Sequence, residues 1–203
     1  MILQPTTGLT MEPESHKYFL NGKHLPSVTQ IMSKAGLIDF SFVQKDVLEE
    51  ACARGTVVHK ICELWDKGTL DVESLDAVGR AYLTQWIEIS NVFLHGRKWS
   101  AIELPLAIPG QFAGTLDRAI FDGKTISVLD IKTGLTNSVA EIQMTAYLEL
   151  LMYALNIKIG SRIKSELITV QLTETKGSLS KTLKPLHHVW ASARTIYNYK
   201  NAA

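Results

Sequence analysis

Two apolar, β-branched runs flank Asp122-Gly123, and each ends in charge: Phe112-Ala-Gly-Thr-Leu-Asp117 lies before the pair, and Leu129-Asp130-Ile131-Lys132 after it. Asp-Gly between such runs is a strong signal for a two-residue β-hairpin loop. Taking those two residues as the loop places Asp117 opposite Val128. Side chains alternate along a strand, so Val128, Asp130 and Lys132 share one face. Asp117 then stands diagonally across from Asp130, at roughly 7–8 Å between backbone positions, within reach of one shared ion. A four-residue loop centred on the same pair keeps this parity, whereas a three-residue loop breaks it.

Two acids and a lysine gathered in this way suit metal-assisted hydrolysis of a phosphodiester. Carboxylates and water are the ligands that Mg²⁺ and Mn²⁺ prefer. The ion polarises a phosphoryl oxygen and lowers the pKa of a water, while Lys132 could orient that water or offset developing charge. The plainer alternative is a solvated strand face with an ordinary Asp–Lys ion pair, and it stays open at this point.

The 203 residues fit one α/β domain spanning 1–203. A hydrophobic content of 46% suffices for a packed core, and 20% charge argues against disorder. No apolar run reaches the roughly 18 residues of a membrane span. The richest, around Tyr147–Leu155, is interrupted by Glu149. The first residues lack a secretory pattern, and Glu12 and Glu14 do not suit a transit peptide, so no membrane partner and a cytoplasmic location are expected. Cys52 and Cys62 give neither a disulfide framework nor a four-cysteine iron–sulfur site, and read as buried thiols. A net charge of +1 is no nucleic-acid signature. Positive charge for DNA would have to be focused from Lys45, Arg54 and Lys60, from Arg97 and Lys98, or from Lys176, Lys181, Lys184, Arg194 and Lys200. Taken singly, each reads as a solvated surface charge.

Along the chain, residues 16–26 read as a small hairpin around Asn21-Gly22. Ser27 can cap a short helix from Val28 to about Lys34, ended by Gly36. A longer helical region runs from about Phe42 to Lys67, with Arg54-Gly55 as a kink or break, and another spans roughly Leu75–Leu94. Strands follow at about Trp99–Ile108, Gln111–Phe121 and Thr125–Lys132. A helix is expected near 139–156, a strand near 163–172, a strand pairing back over 179–185, and a final helix from about Leu186. This order predicts a mixed central sheet flanked by helices, with helical elements N-terminal to it.

A second cluster lies earlier. Arg54-Gly-Thr-Val-Val-His59-Lys-Ile-Cys-Glu63 places His59 and Glu63 one turn apart on a helical face. An imidazole is a common metal ligand whose tautomer a nearby carboxylate can fix, although an i,i+4 surface pair is the plainer reading.

Together these residues resemble the RecB-type branch of the PD-(D/E)XK nuclease superfamily, with the motifs in that family's order. Pro26-Ser-Val-Thr-Gln-Ile31 is similar to the opening motif of phage exonucleases and of the mitochondrial genome maintenance exonuclease. Arg54-Gly-Thr-x-x-His59-x-x-x-Glu63 resembles the histidine motif, Gly114-x-x-Asp117 and Asp130-x-Lys132 the two acidic motifs, and Gln143-x-x-x-Tyr147 the trailing motif. The span from Pro26 to Tyr147 covers about three-fifths of the chain.

The resemblance implies a restriction-endonuclease-like core and a set of roles. Asp117 and Asp130 would ligate Mg²⁺ or Mn²⁺, with the Ile131 carbonyl and His59 as further ligands, and Lys132 would assist the attacking water. Gln143 and Tyr147 would touch the scissile phosphate or position Lys132, though by themselves they read as amphipathic-helix residues. Ser27, Arg54 and Thr56 would contact DNA, while a structural role for Arg54-Gly55 is an equal alternative. Glu103 matches a position where related nucleases carry an acid, and whether it faces the metal depends on strand register. Two departures stand out: Leu116 occupies the place of the superfamily's proline, and the four cysteines of the iron–sulfur relatives are absent.

The function expected is therefore a metal-dependent deoxyribonuclease. It would act as an exonuclease on single- or double-stranded DNA ends in phage or prophage DNA recombination, repair or processing, and leave 5′-phosphate and 3′-hydroxyl products. No helicase motif is present, so a helicase or recombination partner would be a separate chain. A non-catalytic nucleic-acid-binding protein on the same scaffold and a structure-specific endonuclease are the alternatives.

Overall fold

A computed structural model describes residues 1–12, 15, 17–39, 41–134, 139–182 and 184–202, apart from the side chain of Lys181. Glu14, His16, Leu183 and the Lys181 side chain, all used in the sequence reading, lie outside the described residues.

Three short antiparallel strands come first: β1 (Leu9–Glu12), β2 (Lys17–Leu20) and β3 (Lys23–Leu25). β2 and β3 turn on Asn21-Gly22, both at positive φ, as an Asn-Gly hairpin favours. β1 was not expected, because Leu-Thr-Met-Glu is half-buried at its first residue and exposed thereafter, so no apolar alternation announces it. α1 (Val28–Ala35) opens on a capping box: Ser27 Oγ accepts from the Gln30 N–H and Gln30 Oε1 from the Ser27 N–H. It ends on Gly36 at φ 83°.

α2 (Lys45–Asp66) runs unbroken for 22 residues, so the expected kink at Arg54-Gly55 is absent. One interior glycine costs about 1 kcal/mol relative to alanine. That is too little to break a helix anchored by buried Val58, Ile61 and Cys62. Cys52, expected to be buried, is exposed. A 3₁₀ turn (Val72–Ser74) leads to α3 (Ala77–Leu94), whose first turn is capped by Asp76 accepting from the Gly79 N–H at 2.7 Å.

The main sheet contains β4 (Ala101–Ile108), β5 (Phe112–Phe121), β6 (Thr125–Lys132), β7 (Lys164–Leu172) and β8 (Gly177–Thr182), side by side in that order. α4 (Val139–Ala154) crosses between parallel β6 and β7, every other pairing is antiparallel, and α5 (His187–Ala202) closes the chain. The result is a mixed sheet flanked by helices, as expected, with an N-terminal antiparallel sheet added. One face packs on a cluster from α1, α4 and α5, including Met32, Leu150 and Trp190; the other packs on α2 and α3 through Cys62, Tyr82 and Trp86. Tyr18 and Leu25 of the small sheet cover Ala107 and Ala113. Among the described residues, no helix is long and apolar enough to cross a membrane.

Two register features position the site. The β5–β6 ladder runs from Phe121↔Ile126 to Arg118↔Leu129. The loop therefore centres on Gly123-Lys124 rather than Asp122-Gly123. Gly123, at φ 90°, takes the first central position, and Asp122 accepts from the N–H groups of Lys124 and Thr125. The shift keeps parity but puts Ala119, not Asp117, across from Val128, so that the ladder continued one step past Arg118↔Leu129 aligns Asp117 with Asp130.

In β4–β5, Ile102↔Arg118 and Leu104↔Leu116 share one register, while Glu103 and Asp117 between them make no pair. Glu103 sits at φ 43°, in the left-handed region. The alternation inverts there. Ala101 and Ala119 belong to the α4-side cluster before the break, and Leu104, Leu106 and Leu116 after it. Both strands change faces at their acids.

Candidate metal centre

β5 and β6 stop pairing after Arg118↔Leu129, so the Ile131 backbone must find other partners. Asp117 Oδ2 accepts from the Ile131 N–H at 2.7 Å, and the Ile131 carbonyl lies 2.9 Å from His59 Nε2. α2 delivers this imidazole across the sheet face. Its Nδ1 is 3.6 Å from Asp117 Oδ1 and 3.7 Å from Glu103 Oε1. His59, Glu103 and Asp117 thus offer ligand-type atoms within 4.8 Å of one another, a group that can hold a metal ion.

Glu63 is not the carboxylate partner of His59. Lys60 and Lys67 take its two oxygens at 2.9 and 2.6 Å. Glu103 and Asp117 stand beside His59 instead, so the strained position in β4 faces the centre.

Asp130, with its side chain 3% exposed, stands next to this group. The Lys132 ammonium is 3.1 and 2.9 Å from its two oxygens, and Asp130 Oδ2 makes no aligned hydrogen bond among the described residues. Lys132 also donates to Gln143 Oε1 at 3.0 Å, and Gln143 Nε2 donates to the Tyr147 hydroxyl at 2.9 Å. One chain of contacts therefore runs from the acid on β6 to the third turn of α4. Gly114 makes room for its end. A Cβ there would lie 2.9 Å from Tyr147 Cε1 and 3.2 Å from Val28 Cγ2, closer than packed carbons tolerate.

The electrostatics follow from burial and crowding. Burial raises the Asp130 carboxyl to about 6, with Lys132 pulling the other way. Burial likewise raises Asp117, against the pull of His59. For His59, burial alone would favour the neutral ring. Asp117, Glu103 and Asp130 outweigh it and lift the imidazole to about 9. Lys132 is raised in the same way, Asp130 and Asp117 outweighing its burial, and burial holds the Tyr147 hydroxyl well above its usual range. At neutral pH the metal-free centre thus carries an imidazolium among carboxylates. The donor set (carboxylate oxygens, a carbonyl and one imidazole) fits a hard or borderline cation, and the Asp130 oxygen without an aligned donor is an acceptor already in place.

Of three expected contact residues, Ser27 alone lines the cleft beside this centre. Ser27 is buried as the α1 cap and lines a cleft of about 480 Å³ together with Tyr18, Glu103, Gly114 and Tyr147. Thr56 is exposed one turn before His59, its hydroxyl donating to the Cys52 carbonyl. Arg54 is exposed and lines a separate groove between α2 and α3 with Val57 and Tyr82. Much of the expected basic set is engaged locally: Lys45 with Glu49, Arg97 with the Phe93 and Leu94 carbonyls, Arg194 with Gln111 and Glu149, and Lys200 with the Lys34 carbonyl.

Sequence reasoning missed Arg118, Asp66 and Trp86, which form a network behind Glu103 with Arg118 and Trp86 buried and Asp66 partly so. The available signal was an arginine inside a strand, two residues after Leu116 and two before Ile120.

No family model matches the chain, and no curated protein matches it. Among solved structures, one titled "Crystal structure of SSO0001" aligns with a TM-score of 0.43 at 13% identity, covering 85% of this chain and 72% of that one. A likeness that slight carries neither a fold nor a function.

Proposed function

We propose that this chain is a divalent-metal-dependent deoxyribonuclease of the RecB-type PD-(D/E)XK kind, an exonuclease acting on DNA ends in phage or prophage DNA processing. The supporting observation is the gathering of His59, Glu103 and Asp117 beside the Asp130–Lys132 pair. Asp117, Asp130 and Glu103, with His59 and the Ile131 carbonyl, would hold Mg²⁺ or Mn²⁺, the imidazole favouring Mn²⁺. Bound there, the ion lowers the pKa of a water and offsets charge on the phosphoryl oxygen.

The chain's own groups do the rest. Lys132, its pKa raised, is a donor and a fixed charge rather than a base, placed to orient the attacking water or steady the developing phosphorane. Gln143 and Tyr147 hold its ammonium in one direction. The cleft beside Glu103 and Tyr147 is the place for the substrate strand. Attack breaks the P–O3′ bond, leaving a 5′-phosphate on one fragment and a 3′-hydroxyl on the other.

The test is incubation of end-labelled linear DNA, single- and double-stranded, and of closed circular DNA with Mg²⁺, Mn²⁺ or EDTA. Loss of the linear substrates in metal alone, with the circle spared, is expected. Cutting of the circle would point to an endonuclease, and EDTA-insensitive retention without degradation to a binding protein.

A further inference from the structure

Glu103 holds a left-handed backbone conformation inside a strand, which costs a non-glycine residue roughly 1–2 kcal/mol. Such strain persists only where the surroundings over-determine it. Here they do so through Arg118. Its Nη1 donates to Glu103 Oε1 at 2.9 Å and to the Asp117 carbonyl at 2.7 Å, tying together the two residues at which β4–β5 pairing breaks. Its Nε donates to Asp66 Oδ2 at 2.6 Å. Asp66, the last residue of α2, is itself held by Trp86 Nε1 at 3.1 and 3.2 Å, and the guanidinium lies 5.4 Å from the Trp86 ring centroid.

We propose that Arg118 is a positioning residue for the candidate metal centre, mounted by Asp66 and Trp86 and acting through Glu103. The proposal rests on reading the cluster as a cation site. Three points support it. The pair is sealed, with Arg118 at 0% and Asp66 at 5% side-chain exposure, and a buried ion pair adds little net stability over an apolar replacement. A guanidinium presents its donors in a rigid planar fork, so the orientation fixed by α2 and α3 passes to the Glu103 carboxylate. Among the described residues Arg118 Nη2 makes no hydrogen bond, leaving Nε and Nη1 as the groups that aim the side chain, one at each end of the relay.

Positioning through Glu103 makes the two sites dependent on each other. Mn²⁺ affinity, measured by titration calorimetry on wild type, Asp66→Asn, Glu103→Gln and the double variant, reads that dependence, with circular dichroism checking the fold. Asp66→Asn is expected to weaken Mn²⁺ about tenfold, as loss of an outer-shell partner does, yet to cause no further loss once Glu103 is Gln. Arg118→Lys, which keeps the charge and loses the fork, should fall as far as Asp66→Asn. If Asp66→Asn does not fold, Trp86→Phe keeps the ring, removes the N–H donor, and carries the same expectation at a few-fold loss. Unchanged affinity in the mount variants, full additivity with Glu103→Gln, or complete rescue by Arg118→Lys overturns the proposal while wild type still binds Mn²⁺. Failure of wild type to bind Mn²⁺ overturns the nuclease reading, and the proposal with it.

Discussion

At its turn end the β5–β6 hairpin pairs backbone to backbone from Phe121↔Ile126 to Arg118↔Leu129, and Asp122 gives its carboxylate to the N–H groups of Lys124 and Thr125. At the other end the same two strands part. Ile131 turns its N–H to Asp117 and its carbonyl to His59, and Asp130 is left to Lys132. Both ends carry an aspartate, but the outcomes differ. Asp122 is exposed and satisfied by local backbone, which lowers its pKa; Asp117 and Asp130 are buried, crowded and pushed upward. Chemistry has room where the ladder stops, because there the backbone is satisfied by side chains that a cation can recruit.

That contrast can be tested by perturbing one end at a time. Asp130→Ala at the open end should lower metal-dependent DNA cleavage by about 10³-fold while the circular dichroism spectrum is kept, the scale expected when charge stabilisation in a water-poor site is removed. Gln143→Ala should cost roughly tenfold in turnover with Mn²⁺ affinity unchanged, because it frees the Lys132 ammonium without touching a ligand. Gly114→Ala should destabilise the fold by about 1–3 kcal/mol through overpacking against Tyr147, read as a lower melting temperature.

The pH response has a definite sign. The folded His59 sits at about 9 against 6.5 unfolded, so its stabilisation is complete below pH 6.5 and is lost as pH rises towards 9. The melting temperature of EDTA-treated protein should fall by roughly 5 °C over that window, and His59→Gln should flatten the fall. Asp130, raised from 3.8 to about 6, adds a decline in the same direction at lower pH. A cation at the centre displaces the imidazolium proton, so Mn²⁺ affinity should rise with pH. The smallest effect belongs to the turn end: Asp122→Ala should cost about 1 kcal/mol or less and leave Mn²⁺ affinity unchanged.

Much of this was legible in the residues themselves. Ser27 and Gly36 announced helix ends by their chemistry, and the apolar runs around residues 101–132 announced strands. The shared side of Asp117 and Asp130 was legible because parity survives a two-residue shift in register. The register itself was not, since Gly123 can supply positive φ at either central position of a hairpin loop. The pairing of His59 with Glu63 failed for a local reason: Lys60 and Lys67 lie three before and four after Glu63 and capture it first. Glu103 entered the centre through a left-handed backbone conformation that no propensity encodes, and Arg118 was given no role, although its side chain reaches Asp66 at the end of α2.

The most direct measurement is anomalous diffraction from crystals of the protein grown with Mn²⁺. The account predicts a Mn²⁺ peak at the parted end of the hairpin, coordinated by Asp117 together with Asp130, Glu103 or His59. A well-ordered centre with no peak among these side chains, in crystals that bind Mn²⁺ elsewhere, would contradict it.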